Sequence, residues 1–197
     1  MRELLKLTIV LTIICAAAAT ALAFAYTLTK EPIAYQQRLK KLKAIKAVQP
    51  DYDNEPDQDF VDLALAKSKK GEDVLTRFYL TKRGEVFTGA VFLVSAAGYG
   101  GTIDIMLGVT PNGTITGVQV LSHSETPGLG AKITEDTFCG QFKSKNLANI
   151  KWALKKDGGD IDQITGATIS PRATVKAIHK GLVSFVGHKD ELVEEGS

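Results

Sequence analysis

The hydrophobic pattern of the chain begins as an unbroken run. From Leu7 to Leu28 no position is charged, and as a helix this run would extend about 33 Å, enough to cross the hydrocarbon core of a bilayer. From Glu31 to Gln49 the pattern becomes amphipathic. Ile33, Leu39, Leu42, Ile45 and Val48 recur at three- and four-residue steps with lysines between them, which predicts a helix continuing the apolar one as a stalk. Residues 50–59, rich in acidic residues, Pro and Asn, predict a loop. Asp59 to Lys70 predicts a second short helix. Past Glu85 the pattern turns to strands. Val86 to Val94 predicts one, ending in Gly98-Tyr99-Gly100-Gly101. Ile103, Ile105, Leu107 and Val109 alternate as a half-buried strand does. Pro111-Asn112-Gly113 supplies a turn, and Thr114 to Leu121 returns as the partner, with a phase slip at Gly117 that predicts a bulge. The fold class is therefore α+β, with an antiparallel meander and flanking helices behind one N-terminal apolar helix.

A glycine-rich loop, His123 to Gly130, follows the meander. Its polar groups and small residues suit the edge of a flat heterocycle, and equally a plain connection. His123 reads as a hydrogen-bonded structural residue, and Glu125 as either a turn cap or a ligand contact. The segments Phe138–Phe142 and Leu147–Trp152 fit no single element. Asp190 to Ser197 predicts a frayed acidic tail.

Charge and composition narrow the chemistry. A formal net charge of +2, with no basic run interleaved with aromatics, points away from nucleic acid. Arg2 and Lys6 precede the apolar run, which favours a cytoplasmic N-terminus and an exported remainder. Ala21-Leu22-Ala23 fits a signal-peptide cleavage pattern, but the apolar run continues past it, and its length favours a retained anchor. Either way the rest of the chain is exported. Cys15 lies in the apolar run and Cys139 in the later domain, so no internal disulfide is expected, and Cys139 reads as a small buried residue. The histidines, at 123, 179 and 188, lack metal-ligand spacing, and no metal site is expected. No nucleophile–base pair suggests a hydrolase. The lysines at 143, 145, 151, 155 and 156 read as a solvated face, with an acidic redox partner as the alternative.

The most informative stretch is Asp162-Gln163-Ile164-Thr165-Gly166-Ala167-Thr168-Ile169-Ser170. Thr165, Thr168 and Ser170 bring three hydroxyls close together around the small residues Gly166 and Ala167. Ser170-Pro171 predicts a helix start, with Ser170 as N-cap and Pro171 first inside. Val175, Ile178, Leu182, Phe185 and Val186 continue it at helical spacing. A phosphate on Thr168 would lie near that helix N-terminus, where free N–H groups favour an anion, and Arg172 and Lys176 would add positive charge.

The order of four features, namely the membrane segment, Gly98–Gly101, His123–Gly130 and Thr165-Gly166-Ala167-Thr168, resembles the FMN-binding domain shared by the G subunit of the Rnf electron-transport complex and the C subunit of the sodium-pumping NADH:quinone reductase. The resemblance covers essentially the whole chain, and the compact length is more similar to the Rnf protein. It implies covalent flavin mononucleotide (FMN), joined through its phosphate to the Thr168 hydroxyl by a separate flavin transferase. That enzyme would read Asp162, Gly166 and Ala167, and Thr165 counts among the cofactor-binding residues. The family commonly has Ser where this chain has Thr165, a change that keeps the hydroxyl. The resemblance further implies that Glu125, Thr126, Leu129 and Gly130 lie near the flavin, with Tyr99 and Gly100 at the neighbouring turn. The implied role is electron relay, without substrate turnover by this chain alone. It would act within an ion-translocating complex linking ferredoxin and NAD, among other membrane, iron–sulfur or flavin subunits. A membrane-anchored FMN carrier for another exported reductase and a flavin-free exported binding module are the alternatives. The expected organisation is a cytoplasmic N-terminus (1–6), a transmembrane helix (7–28), a helical stalk and linker (29–84), the FMN-binding domain (85–189) and a tail (190–197), held in the inner membrane with the main domain on its periplasmic or extracellular side.

Overall fold

The computed structural model describes residues 1–67 and 73–195. Helix α1 runs from Arg2 to Val48 (47 residues) without a break, taking Pro32 into its interior; at 1.5 Å per residue it is about 70 Å long. The apolar run and the amphipathic segment are thus one helix. The chain divides into two compact units, Met1–Leu42 and Lys43–Ser197.

In the first unit the large apolar side chains from Leu4 to Leu28 are exposed. The threonines among them return their hydroxyls to the preceding turn: Thr8 to the Leu4 carbonyl, Thr12 to Thr8, Thr20 to Ala16 and Thr29 to Ala25, at 2.8–2.9 Å. A helix that satisfies its own backbone and hydroxyls while presenting hydrocarbon all round is suited to lipid. It is the one helix among the described residues long and apolar enough to cross a membrane.

The second unit is built on a five-stranded antiparallel sheet in sequence order: β1 (Phe60–Lys67), β2 (Asp73–Arg83), β3 (Val86–Ala97), β4 (Thr102–Val109) and β5 (Ile115–Ser122). The predicted meander is present from β3 onward. Two expectations upstream of it are corrected. Asp59–Lys70, expected as a helix, is strand β1 as far as Lys67; positions 68–70 lie outside the described residues. Val61 and Leu63 pack toward the core while Asp62 faces out to Arg77, a period of two that fits a strand. The expected stalk and linker, 29–84, accordingly contains β1 and β2. The sheet begins at Phe60, well before the expected domain start at 85.

The sheet is covered on both sides. One face carries Phe78, Leu80, Phe92, Ile105 and Leu107 against α3 (Ile169–Gly187), which contributes Val175, Ile178, Leu182 and Phe185. Phe92 and Phe185 stack with centroids 6.0 Å apart and planes 7° from parallel. The opposite face carries Tyr79, Val91 and Met106 against Ala44, Ile45 and Val48 from the last turns of α1. Strand β4, expected to be half-buried, is therefore buried on both faces from Ile105 to Val109. Tyr79 pairs with Val91, Val91 with Gly108, and Gly108 with Gly117, so one row across the sheet ends in two residues without side chains. The backbone of Val48 occupies that space, and a Cβ on either glycine would come within 2.7 Å of it. The β4–β5 register shifts between Gly108–Gly117 and Val109–Ile115, which is the predicted bulge, beside Gly117.

After β5 the chain packs as short turns: a 3₁₀ turn Gly130–Thr134, helix α2 (Asp136–Cys139) and 3₁₀ turns at Gly140–Phe142 and Lys155–Asp157. These supply Ile133, Phe138, Phe142, Leu154 and Ile161 to the α3 side of the core. Trp152, the chain's sole tryptophan, lies between Phe142 and His179. Both cysteines are free. Cys139 is buried as expected, its thiol donating to the Ile133 carbonyl at 3.1 Å. The predicted frayed tail is instead helix α4 (Lys189–Glu195), pinned by the fully buried Leu192; positions 196 and 197 lie outside the described residues.

Two outcomes test this packing. Phe185→Ala should lower stability by about 3–5 kcal/mol, as large-to-small changes at fully buried aromatics do, measured by urea unfolding of the full chain in detergent with Trp152 emission as the signal. Burial pushes the Cys139 thiol up to about 11, so at pH 8 only about one thiol in a thousand is thiolate. In a Cys15→Ser chain, alkylation by iodoacetamide at pH 8 should therefore be very slow when folded and fast in denaturant; rapid labelling of the native chain contradicts the burial.

Candidate functional site

Three short segments converge at the end of the sheet where β3 turns into β4. The first is that turn, Gly98–Gly101, closed by the Gly98 N–H donating to the Gly101 carbonyl at 2.8 Å. The second is the loop after β5. Within it the Leu129 and Ala131 N–H groups both donate to the Thr126 carbonyl, at 3.2 and 3.1 Å, and Gly128 sits at φ +74°. The third is the turn into α3, where the Ala167 N–H reaches the Ile164 carbonyl at 3.2 Å. Gly166 is third of those four residues, with φ +80°, the left-handed value that a type II turn requires there. The run Ile164-Thr165-Gly166-Ala167 is thus a tight turn for a stated steric reason.

Glu125 joins the three segments. It is 5 % exposed, and Ser170 is 2 % exposed. Its carboxylate accepts the Gly100 N–H at 2.9 Å and the Ser170 hydroxyl. Its own N–H donates to His123 Nδ1 at 3.1 Å, the structural hydrogen bond expected of that histidine. A carboxylate taken out of water needs such donors. Space is left for it on both sides by glycine: a Cβ on Gly98 would collide with Oε1, and one on Gly130 would lie 2.7 Å from Oε2 and 2.6 Å from the Ser170 Oγ.

Between the three segments lies a cavity of about 460 Å³. Of the residues singled out from sequence, Tyr99, Glu125, Thr126, Leu129, Gly130, Gly166, Ala167 and Thr168 line it, joined by Ile169 and Ser170. Tyr99, Leu129 and Ile169 are large apolar side chains at least 44 % exposed, forming an apolar mouth. Gly100, Asp162 and Thr165 do not line it. Gly100 acts on it through Glu125. Asp162 faces away, pairing with Lys155 Nζ at 2.7 Å while its N–H donates to Gln141 Oε1 at 2.7 Å. Thr165 is exposed on the turn.

The start of α3 differs from expectation. The helix begins at Ile169, with Thr168 in the N-cap position, so Ser170 is inside the first turn and Pro171 follows it. The reason is the engagement of the Ser170 hydroxyl by Glu125, which leaves it no role as a cap. Thr168 makes no side-chain cap bond either. Its Oγ1 accepts a hydrogen bond from Lys156 Nζ at 2.5 Å. Arg172, expected as a cation for the site, is turned to Asp157, to which its guanidinium donates twice. Those hydrogen bonds, helped by the charges of Arg172 and Lys156, hold the Asp157 carboxyl below the usual carboxylate range. The pair is thus fully charged at neutral pH and is lost only as acidification passes that lowered value. Lys156 and Ser170 were not legible as site residues: one stood in a lysine-rich stretch that reads as a solvated face, the other in a cap signature.

The cavity's outline depends on Gly130. Gly130→Ala should cost about 1–3 kcal/mol, the usual range for overpacking, read as a lowered thermal midpoint. The same change at the open position Gly140, where an added Cβ meets nothing within 4 Å, should leave the midpoint unshifted by overpacking.

A family model described as an FMN-binding domain matches residues 98–183, a span that runs from the first cavity turn into α3. The G subunit of the ion-translocating oxidoreductase complex of Aliivibrio fischeri is 39% identical over 196 residues, covering 95% of this chain and 92% of that protein. The corresponding G subunit of Cereibacter sphaeroides is 38% identical over 182 residues, covering 89% and 81%. In fold, the chain is similar to the crystal structure of NqrC from Shewanella oneidensis, with a TM-score of 0.50 and 22% identity, covering 76% of this chain and 73% of that one. The chain belongs to the family of ion-translocating oxidoreductase G subunits, and with its N-terminal helix it is a membrane-anchored protein.

Proposed function

We infer that, as a member of the G-subunit family, this chain is a membrane-anchored electron-transfer component of an ion-translocating oxidoreductase complex, carrying FMN covalently on Thr168. The observation that carries the reading is the position of Thr168, which lines the cavity together with the Glu125–Gly130 loop and Tyr99. The residues fit the group. Tyr99, Leu129 and Ile169 offer apolar surface to a flat ring system. Gly130 and Gly166 provide a floor that a Cβ would fill, since one on Gly166 would lie 2.9 Å from the Leu129 Cδ2. Thr168, at the N-cap of α3, suits a phosphate.

When bound, the isoalloxazine supplies the electron transfer; the protein supplies position and electrostatics. Glu125 fixes the spacing of the cavity walls. The Ile164–Ala167 turn holds Thr168 at a surface that an attaching enzyme can reach, with the exposed Thr165 and Gly166 beside it. A tether keeps the cofactor at high local concentration, which matters where free FMN would be lost to the medium. We place the second unit on the exported side of the membrane, because Arg2 and Lys6 precede the apolar run and basic residues favour the cytoplasmic side. Its partners are then the other redox subunits of the complex, and a flavin transferase during maturation.

Co-expression of the full chain with a flavin transferase, followed by denaturing electrophoresis, should give a yellow-fluorescent band. Thr168→Ala should abolish the fluorescence and Thr165→Ala should retain it. A fluorescent Thr168→Ala band would sink the assignment of Thr168 as sole acceptor.

A further inference from the structure

The cations around Thr168 are not equivalent. Lys155 is paired with Asp162 at 2.7 Å, and Arg172 is paired with Asp157 through two hydrogen bonds. Lys156, between them in sequence, has its ammonium on a neutral oxygen, the Thr168 Oγ1, at 2.5 Å. An ammonium can only donate, so the Thr168 oxygen is the acceptor and its own O–H is left free to point elsewhere.

The loop holding Lys156 is a built one. It leaves the core at Leu154 and returns at Ile161, both 1 % exposed, and these two residues bridge as parallel partners. The Lys155 N–H donates to the Ile161 carbonyl at 2.7 Å, and the Asp157 and Gly159 N–H groups donate to the Leu154 carbonyl at 2.8 and 3.0 Å. Gly158 turns the chain at φ +83°. Lys156 is thus carried by an anchored turn that approaches the N-terminus of α3 from the side.

The helix start itself is short of donors. An anion at a helix N-terminus is held by the free N–H groups of the first turn. Here Pro171 is third in that turn and has no N–H. Thr168 makes no cap bond that would orient it. A phosphate at Thr168 therefore meets fewer backbone donors than a helix normally offers, and a charged side-chain donor compensates.

We propose that Lys156 is the positioning residue for the phosphate at Thr168: its ammonium orients the Thr168 oxygen before attachment and becomes the partner of the phosphodiester afterwards. This rests on the reading of Thr168 as the flavin acceptor. In the attachment step the Thr168 Oγ–P bond forms and a phosphoanhydride bond of the flavin donor breaks. The leaving nucleotide phosphate takes the bonding electron pair, and the hydroxyl proton passes to the transferase or solvent. Nothing is oxidised or reduced. Lys156 moves its hydrogen bond from the threonine oxygen to a phosphoryl oxygen, where charge-assisted bonds are strongest.

The test uses the full chain in detergent, a purified flavin transferase and a flavin dinucleotide donor. Attachment is followed by in-gel fluorescence, and the attached residue is identified by peptide mass spectrometry. Lys156→Gln should slow attachment about tenfold, the loss expected for one hydrogen bond to a charged group, with unchanged Trp152 emission. Lys156→Arg should restore most of the rate, and Lys155→Gln should leave it within about twofold of the parent, since exposed ion pairs contribute little. Wild-type attachment to Thr168 with an unslowed Lys156→Gln chain overturns the proposal and leaves the acceptor assignment standing. Attachment at a residue other than Thr168 overturns the acceptor assignment itself, and the proposal with it. A second measurement needs no variant. In the unsubstituted chain, acetylation of Lys156 by a succinimidyl ester should become several-fold slower relative to Lys155 once flavin is attached; an unchanged ratio also overturns the proposal.

Discussion

The carboxylate of Glu125 is buried where the β3–β4 turn, the loop after β5 and the first turn of α3 meet. Burying a polar group is unfavourable unless hydrogen-bond donors replace the lost water. The Gly100 N–H and the Ser170 hydroxyl are those donors, and each belongs to a different segment. The requirement to satisfy one carboxylate therefore fixes three otherwise separate pieces of chain against each other. Glycine at 98 and 130 is the steric side of the same requirement, since a Cβ at either position would enter the carboxylate's space. The cavity is what remains between segments held apart at that spacing, and the helix register that puts Thr168 at its edge follows from the engagement of Ser170.

The sheet gives this junction a rigid base. Its central strands are buried on both faces, with α3 on one and the end of α1 on the other. Close approach is obtained differently on the two sides. Against α3, aromatic rings fill the space and Phe185 lies flat on Phe92. Against α1, the paired glycines 108 and 117 remove side chains so that backbone meets backbone at Val48. Protein interiors are close-packed and resist small changes in volume, so α3 is held firmly on the sheet. The N-terminus of α3 is thereby held at the end of the sheet where the cavity lies.

Around Thr168 the charges are sorted by geometry. Asp157 and Arg172, Asp162 and Lys155 form exposed pairs of opposite sign, each nearly neutral as a unit, and Lys156 is directed at the threonine oxygen. Tyr99, Leu129 and Ile169 give the cavity an apolar mouth, and Lys156 lies outside its lining, with its ammonium on the Thr168 oxygen.

The sequence alone determined a good part of this. An uncharged run longer than a bilayer core is specified by composition, and period-two alternation with a Pro-Asn-Gly turn specifies a meander, because each of these signals is local. What was missed depended on partners distant in sequence. Asp59–Lys70 carries apolar residues that suit either period, and pairing with β2 makes the described part a strand. Asp190–Glu195 looks like a solvated acidic end, yet the core has a place for Leu192. Ser170 looks like a cap, and only the fold brings the Glu125 carboxylate to its hydroxyl. Lys156 is one of many lysines by composition; a turn anchored at Leu154 and Ile161 puts its ammonium on Thr168 and turns the more obvious Arg172 toward Asp157. Local steric and hydrophobic rules are written residue by residue, whereas the satisfaction of a buried polar group or the aim of a flexible cation is settled only when the tertiary fold decides which groups share the same few ångströms.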